Sequence, residues 1–329
     1  MIRTIRGKTT KYEEWDSMLS YDEKAIKRIV LQLMNLDKTI RIYACAEQDI
    51  CSLIAYLRYE STILFHLGDV NYTFYPNRRE AVLHPCYLYT KKEYDKMVTQ
   101  LASIVEKIRH QICVSSTLFE RELRIHDALC SRVLYLDEGE QSHSIVGPLL
   151  HHRGVCDGIS KTAKVLLQEC GITSHVISGT TASPTGQHEA HAWNMVSING
   201  KWYHLDITFD NTLSQKNIRY DYFNLSTSEI MKDHDLDKTS QFASIRCEND
   251  DDYYMLSGLY FESLTNLKEY LCRCIKQKVT YVHFRVPINI DKAEVIRSFH
   301  QSLHNTKGSI AYEESINDIR NIYTWRISY

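Results

Sequence analysis

Apolar residues recur at helical spacing from Tyr21 to Leu36, where Ile26, Ile29, Val30, Leu33 and Met34 form one stripe, and the run from Thr39 to Cys45 then reads as a strand. A helix over Gln48 to Tyr59 and strands over Ser61 to His66, Asn71 to Tyr75 and Ala81 to Tyr89 complete a first unit. The tail repeats this order. It predicts a helix from Ser263 to Lys276, a strand from Val279 to Val286, a helix from Asp291 to His304, and strands at Ser309 to Tyr312 and Asn321 to Ser328. Either a small α+β unit is duplicated or one sheet is assembled from both ends. A long helix from Lys91 to Gln111, with Tyr94, Met97, Val98, Leu101, Ile104, Val105 and Ile108 on one face, leads from the first unit into the middle of the chain.

The middle opens with Thr117-Leu-Phe-Glu120, a capping box that starts a helix carrying His126 and Asp127. That mid-helix pair reads as structural, fixing the helix against a neighbour. Further on, Gly154-Val-Cys156-Asp-Gly158 precedes apolar positions at Ile159, Ala163, Leu166, Leu167 and Cys170, closed by Gly171 as a C′ residue. Cys156 therefore sits at the first turn of a helix, where unpaired backbone N–H groups and the positive end of the helix dipole favour a thiolate. Alone, such a cysteine is more often a small buried hydrophobe.

Two runs flanking Asn199-Gly200 supply its partners, because Asn-Gly between alternating segments signals a two-residue type I′ hairpin. With Asn199 and Gly200 as the loop, Ile198 pairs with Lys201, and counting back sets Trp193 opposite Asp206 and His191 opposite Thr208. His191 and Asp206 then become diagonal neighbours on one face, within reach of a hydrogen bond. A carboxylate holding one ring nitrogen presents the other to a nucleophile. His204 falls on the same face and rivals His191 as the base. The polar segment from Gly179 to Glu189 reads as a loop, either bordering or covering the substrate or lying passively on the surface. His188 and Glu189 lack the helical spacing of a zinc-binding pair, so no metal is expected.

At these residues the chain resembles the transglutaminase-like superfamily, whose pattern G-x-C-x-G, H-A-W-N and W-Y-x-L-D-x-T stands here as Gly154 to Gly158, His191 to Asn194 and Trp202 to Thr208. The likeness extends upstream to Ile125-His126-Asp127 and Tyr135, and downstream to Tyr222-Phe-Asn-Leu-Ser226 and Lys232-Asp-His234, covering roughly residues 117 to 237. It implies an α+β papain-like core, with the cysteine helix packed on an antiparallel sheet, flanked by small α+β modules. It further implies Cys156 as nucleophile, His191 rather than His204 as base, and Asp206 as orienter, with no cofactor. Tyr135 and His152 are candidates for a side-chain oxyanion donor. The expected division is 1–112 for an N-terminal module with its linking helix, 113–250 for the catalytic core and 251–329 for a C-terminal module, with the acidic run Glu248 to Asp252 at the last boundary.

Composition narrows the function further. With 39 Lys and Arg against 41 Asp and Glu, the formal charge is -2, which gives no electrostatic reason to expect nucleic acid or a membrane surface as partner. Met1-Ile-Arg-Thr-Ile-Arg lacks the apolar core of a signal peptide, and no run approaches the roughly 20 apolar residues of a membrane span. Ten cysteines scattered without a framework read as reduced thiols, and a cytoplasmic location is expected. The expectation is a cysteine hydrolase or acyltransferase acting on amide bonds of a peptide or protein, with peptidase or deamidase ahead of transglutaminase. The alternative is a catalytically silent protein-binding scaffold.

Overall fold

Asp22 accepts from the backbone N–H of Ala25 and starts α1, Glu23–Met34, whose Ile29 and Leu33 are fully buried. In this computed structural model the described residues are 21–114, 116–182, 188–214, 216–237, 242, 244–304 and 310–329. After α1 come β1 (Ile40–Tyr43), α2 (Glu47–Tyr59), β2 (Leu67–Tyr75) and β3 (Glu80–Tyr87), which form a three-stranded antiparallel sheet in the order β1-β3-β2. The strand expected from Ser61 to His66 is instead a 3₁₀ turn over Thr62–Leu64. Its apolar residues Ile63, Leu64 and Phe65 are consecutive and all buried, so no alternating face exists for a sheet to use.

The capping box expected at Thr117/Glu120 forms and opens α4 (Leu118–Arg132), and a second one, at Thr90/Glu93, opens α3 (Lys91–Ile112). A short parallel pair, β4 (Leu134–Tyr135) with β5 (Arg153–Gly154), then delivers the chain to α5, Cys156–Glu169. This helix is buried on every side from Gly158 to Leu167. It lies between the helices that precede it and an antiparallel sheet of β6 (Thr173–Ala182), β7 (His188–Ile198), β8 (Lys201–Leu205) and β9 (His234–Leu236), in the order β8-β7-β6-β9. A cysteine helix on an antiparallel sheet is the α+β core that the sequence implied. Gly171, at φ +84°, ends α5 in the left-handed conformation.

Burial of α5 brings two lysines inside, and both are paired. Lys164 reaches Glu60 at the end of α2, binding its carboxylate and, at 2.9 Å, its carbonyl, while the other Glu60 oxygen accepts from Val176 on β6 at 3.0 Å. Burial pushes the Glu60 carboxyl up, but Lys164 and His175 outweigh it and hold it down at about 2. The N-terminal sheet unit is thereby bolted to the cysteine helix and to β6 through one buried carboxylate.

The hairpin expected at Asn199-Gly200 is present, with φ of +53° and +82° and Ile198 paired with Lys201. Its ladder stops at Asn194 opposite Leu205, so the expected pairing of Trp193 with Asp206 and of His191 with Thr208 does not form. Asp206 leaves the strand and caps α6, Ile207–Leu213, accepting from the N–H groups of Thr208 and Phe209. The segment expected as a loop from Gly179 to Glu189 is largely strand, since β6 runs to Ala182 and β7 begins at His188; residues 183–187 lie outside the described residues.

The tail folds as α9 (Leu264–Lys276), β10 (Tyr281–Arg285), α10 (Lys292–Leu303), β11 (Ala311–Asn317) and β12 (Ile322–Ser328), after two single-turn helices, α7 (Thr227–Ile230) and α8 (Tyr253–Leu256). Its sheet runs β10-β12-β11, so both flanking units share the sequence helix, strand, helix, strand, strand and insert their last strand between the other two. They are two separate sheets of like wiring. The acidic run before the tail is tied down: Asp251 binds Lys201 at 2.6 Å, and Asp252 caps α8 and pairs with Arg285. Among the described residues no helix is long and apolar enough to cross a membrane.

Candidate active site

Gly158 fixes where the cysteine sits, because a Cβ there would lie 2.1 Å from the carbonyl oxygen of Ser142. The segment before β5 thus lies directly on the first turn of α5, and Val155 donates its N–H to the same Ser142 carbonyl at 3.1 Å. One turn further, Ser160 donates to the carbonyl of Ala192 at 2.9 Å, and Asn194 donates to the carbonyl of Ser160 at 3.0 Å. These bonds pin the first turns of α5 against β7 on both sides of position 193. They bring Cys156, partly exposed, beside His191, which is buried.

The ring of His191 is held on three sides. Its Nε2 lies 2.7 Å from Oδ2 of Asp206, the Trp193 ring stacks alongside at 5.8 Å, and the Phe209 ring meets it edge-on at 5.1 Å. The Cys156 thiol is the other side chain that raises the charge preference of the ring, and with Nε2 used by Asp206 the nitrogen left to meet it is Nδ1. Burial opposes charge on this ring, but the Asp206 carboxylate, and after it Cys156, prevail and push it up to about 10. Burial likewise works against the ionised Asp206, yet His191 and His234 together hold that carboxyl far below the usual range. With two backbone N–H groups on Oδ1 and two imidazoles on Oδ2, Asp206 is fully satisfied at zero exposure.

His204, the rival in the hairpin, points elsewhere. The indole N–H of Trp193 donates to its Nδ1 at 3.1 Å, which leaves the proton on Nε2, facing the Thr227 hydroxyl at 3.2 Å. Burial, with His234 nearby, lowers its pKa to about 3, so it is a neutral core histidine. His126 is buried between Asp127 and Asp210 and stacks on Tyr220, the structural role expected for it.

Of the two oxyanion candidates, Tyr135 is 45% exposed on β4, where its backbone pairs with Gly154, two residues before Cys156, and His152 sits at an exposed left-handed turn, φ +55°. Burial, and after it the charges of Cys156 and Asp206, push the Tyr135 phenol up to about 12, so its hydroxyl keeps a proton to donate at neutral pH. His188 and Glu189 are exposed at the start of β7. The residue that carries no role in the sequence reading is His234, whose Nε2 lies 3.0 Å from Asp206 Oδ2. Its only signal is the Lys232-Asp-His234 triplet. One ligand atom each from His191, Asp206 and His234 lies within 4.8 Å of the others, a spacing that also suits a metal ion. Those same atoms make the 2.7 and 3.0 Å hydrogen bonds, and the hydrogen-bonded arrangement accounts for all of them.

Residues 106–207 match the family model described as the transglutaminase-like superfamily. No functionally curated protein matches the chain. Among solved structures, one provisionally described as a cysteine protease from Cytophaga hutchinsonii is similar at 14% identity, over 43% of this chain and 61% of that one, with a TM-score of 0.29. Another, called a TGase, is similar at 14% identity, over 52% of this chain and 51% of that one, with a TM-score of 0.30. The chain thus spans between half and two thirds of these two proteins. At such scores neither likeness bears on the chemistry.

Proposed function

From the premise that residues 106–207 carry a transglutaminase-like core, we propose that this chain is a cysteine-dependent enzyme acting on amide bonds of a peptide or protein, with Cys156, His191 and Asp206 as nucleophile, base and orienter. The family match supports a cysteine-dependent enzyme in general. The observation that carries the finer reading is the ring of His191, bonded at 2.7 Å to a buried carboxylate and facing a helix-start thiol with its other side.

The chemistry follows from that arrangement. The Cys156 thiolate attacks the amide carbonyl, and the tetrahedral oxyanion takes the Cys156 N–H, at a helix position without an intrahelical partner. The Tyr135 hydroxyl is the side-chain donor. As the intermediate collapses, the His191 imidazolium gives its proton to the leaving amine, the C–N bond breaks and a thioester remains on Cys156. Neutral His191 then takes a proton from water, or from an incoming amine, as that group adds to the thioester and expels the thiolate. Hydrolysis by water is the first reading and transfer to an amine the second, since water needs no second binding site.

The test is turnover of a casein digest, with and without an added dansyl amine, by the native chain and by Cys156→Ala. New termini that vanish in the variant, or ammonia released in excess of the amine incorporated, support hydrolysis, and amine incorporation supports transfer. Turnover that survives in Cys156→Ala defeats the reading.

A further inference from the structure

The proposed triad gives His234 no part to play, although among the described residues only His234 and His191 hydrogen-bond to the Asp206 carboxylate through their side chains. His234 opens β9 and is buried. Its Nε2 lies 3.0 Å from Asp206 and its Nδ1 lies 2.6 Å from Oδ1 of Asp233. Both partners are carboxylates held well below the ordinary range, and a carboxylate only accepts, so each ring nitrogen must donate. His234 is therefore an imidazolium. The other groups facing it are the rings of Trp193, Phe209 and Tyr222, the neutral His204, and His191 with ring centroids 5.5 Å apart.

Asp233 is in turn fixed from outside the core. Arg320, in the turn between β11 and β12, donates to both its oxygens at 2.6 and 2.9 Å, and Tyr222 donates to one of them at 2.7 Å. The guanidinium also stacks over the Tyr222 ring at 4.2 Å and donates to the Glu229 carbonyl at 3.0 Å, while only 1% of Arg320 is exposed. Asp206 and Asp233 are thus balanced by His234 and Arg320. An imidazolium at His191 shares the Asp206 carboxylate with His234, and the Cys156 thiolate completes its charge balance.

We propose that His234 is a positioning residue for His191, acting through Asp206, and that Arg320 makes the C-terminal unit part of the active site by holding Asp233. The proposal rests on the triad reading of Cys156, His191 and Asp206. It predicts that the tail contributes to catalysis without touching substrate, through the chain Arg320, Asp233, His234, Asp206, His191.

The experiment is the rate of Cys156 alkylation by iodoacetamide as a function of pH, resolved by peptide mass spectrometry, in the full-length native chain, His234→Gln, Arg320→Met, Arg320→Lys and Arg219→Met. Arg219→Met is the control, because Arg219 bridges Asp221 to Ser315 and Thr324 of the same C-terminal sheet but does not contact Asp233. Removing a cation some 5.5 Å from His191 raises the pKa of that ring, so in His234→Gln the alkaline inflection of the profile moves up by roughly one pH unit or more. The neutral-pH rate falls roughly tenfold as the base loses its alignment. Arg320→Met moves the inflection the same way by less, Arg320→Lys returns it toward the native position, and Arg219→Met lowers thermal stability alone. An inflection that ignores His234→Gln, or that Arg219→Met moves as much as Arg320→Met, overturns the proposal; if Arg320→Met does not fold, His234→Gln and Arg320→Lys decide. A native chain whose Cys156 labels no faster than the exposed Cys45 or Cys86 defeats the triad reading itself, whereas a fast Cys156 indifferent to His234 defeats only this inference.

Discussion

The Nε2 of His191 lies 2.7 Å from the Oδ2 of Asp206, and the same aspartate caps the helix that follows it, accepting from Thr208 and Phe209. Orientation of the proposed base and the start of α6 therefore depend on one side chain. Asp206→Asn keeps a capping oxygen but loses the charge that sustains the imidazolium. The expected result is a native-like circular dichroism spectrum with alkylation or turnover reduced by on the order of 10² to 10⁴. A variant with native kinetics contradicts the role given to the carboxylate.

His204 tests the choice of base. Because Trp193 donates to its Nδ1 and its Nε2 faces Thr227, His204→Ala removes two buried hydrogen bonds and no part of the proposed chemistry. It should cost about 1–3 kcal/mol in urea unfolding and leave the Cys156 pH profile where it was. His191→Ala should do the reverse, sparing stability and lowering turnover by on the order of two or more powers of ten.

Glu122 predicts a pH dependence of stability. It is buried on α4 with Asn224 as its partner, and burial drives its carboxyl up to about 8 against the lowering effect of that bond. A folded pKa raised above the ordinary 4.5 means that the stability it brings is complete below about 4.5 and is lost as the pH rises to about 8. Glu122→Gln removes the titration. Unfolding measured at pH 8 should show the variant more stable by ~2 kcal/mol or more, with the gap closing toward pH 4.5; a gap independent of pH contradicts a neutral Glu122.

Glu60 is the opposite case. Its carboxylate is buried against Lys164 and His175 and held at about 2, so its stabilisation is present above its ordinary value of 4.5 and is lost as the pH falls toward 2. Glu60→Gln strands Lys164 inside the molecule and should cost ~3–5 kcal/mol at neutral pH. Equal thermal stability of native and variant chains at pH 7 contradicts the tether.

Local pattern carried the sequence reading as far as local physics decides the outcome. Amphipathic spacing placed α3 and α5, and one capping box the start of α4, to within a residue or two, and the Asn199-Gly200 turn set the true register of β7 and β8. The same count failed past Leu205, because Asp206 satisfies two N–H groups of the next helix and the chain turns away from the ladder. His191 and Asp206 meet all the same, through the cap geometry and not through cross-strand pairing. His234 and Arg320 were illegible in another sense: their contacts span 28 and 87 residues and depend on how β9 and the β11–β12 turn pack, which no short motif encodes.

Alkylation selectivity is the most direct measurement of the central claim. Ten free thiols compete in this chain; Cys45, Cys51, Cys86 and Cys272 are exposed and Cys156 only partly so. Access alone thus favours the other four. With substoichiometric iodoacetamide at neutral pH, Cys156 should be modified first and fastest, and this preference should disappear in His191→Ala. Labelling that follows exposure, with Cys156 slower than the four exposed thiols and unchanged by loss of His191, would contradict the account.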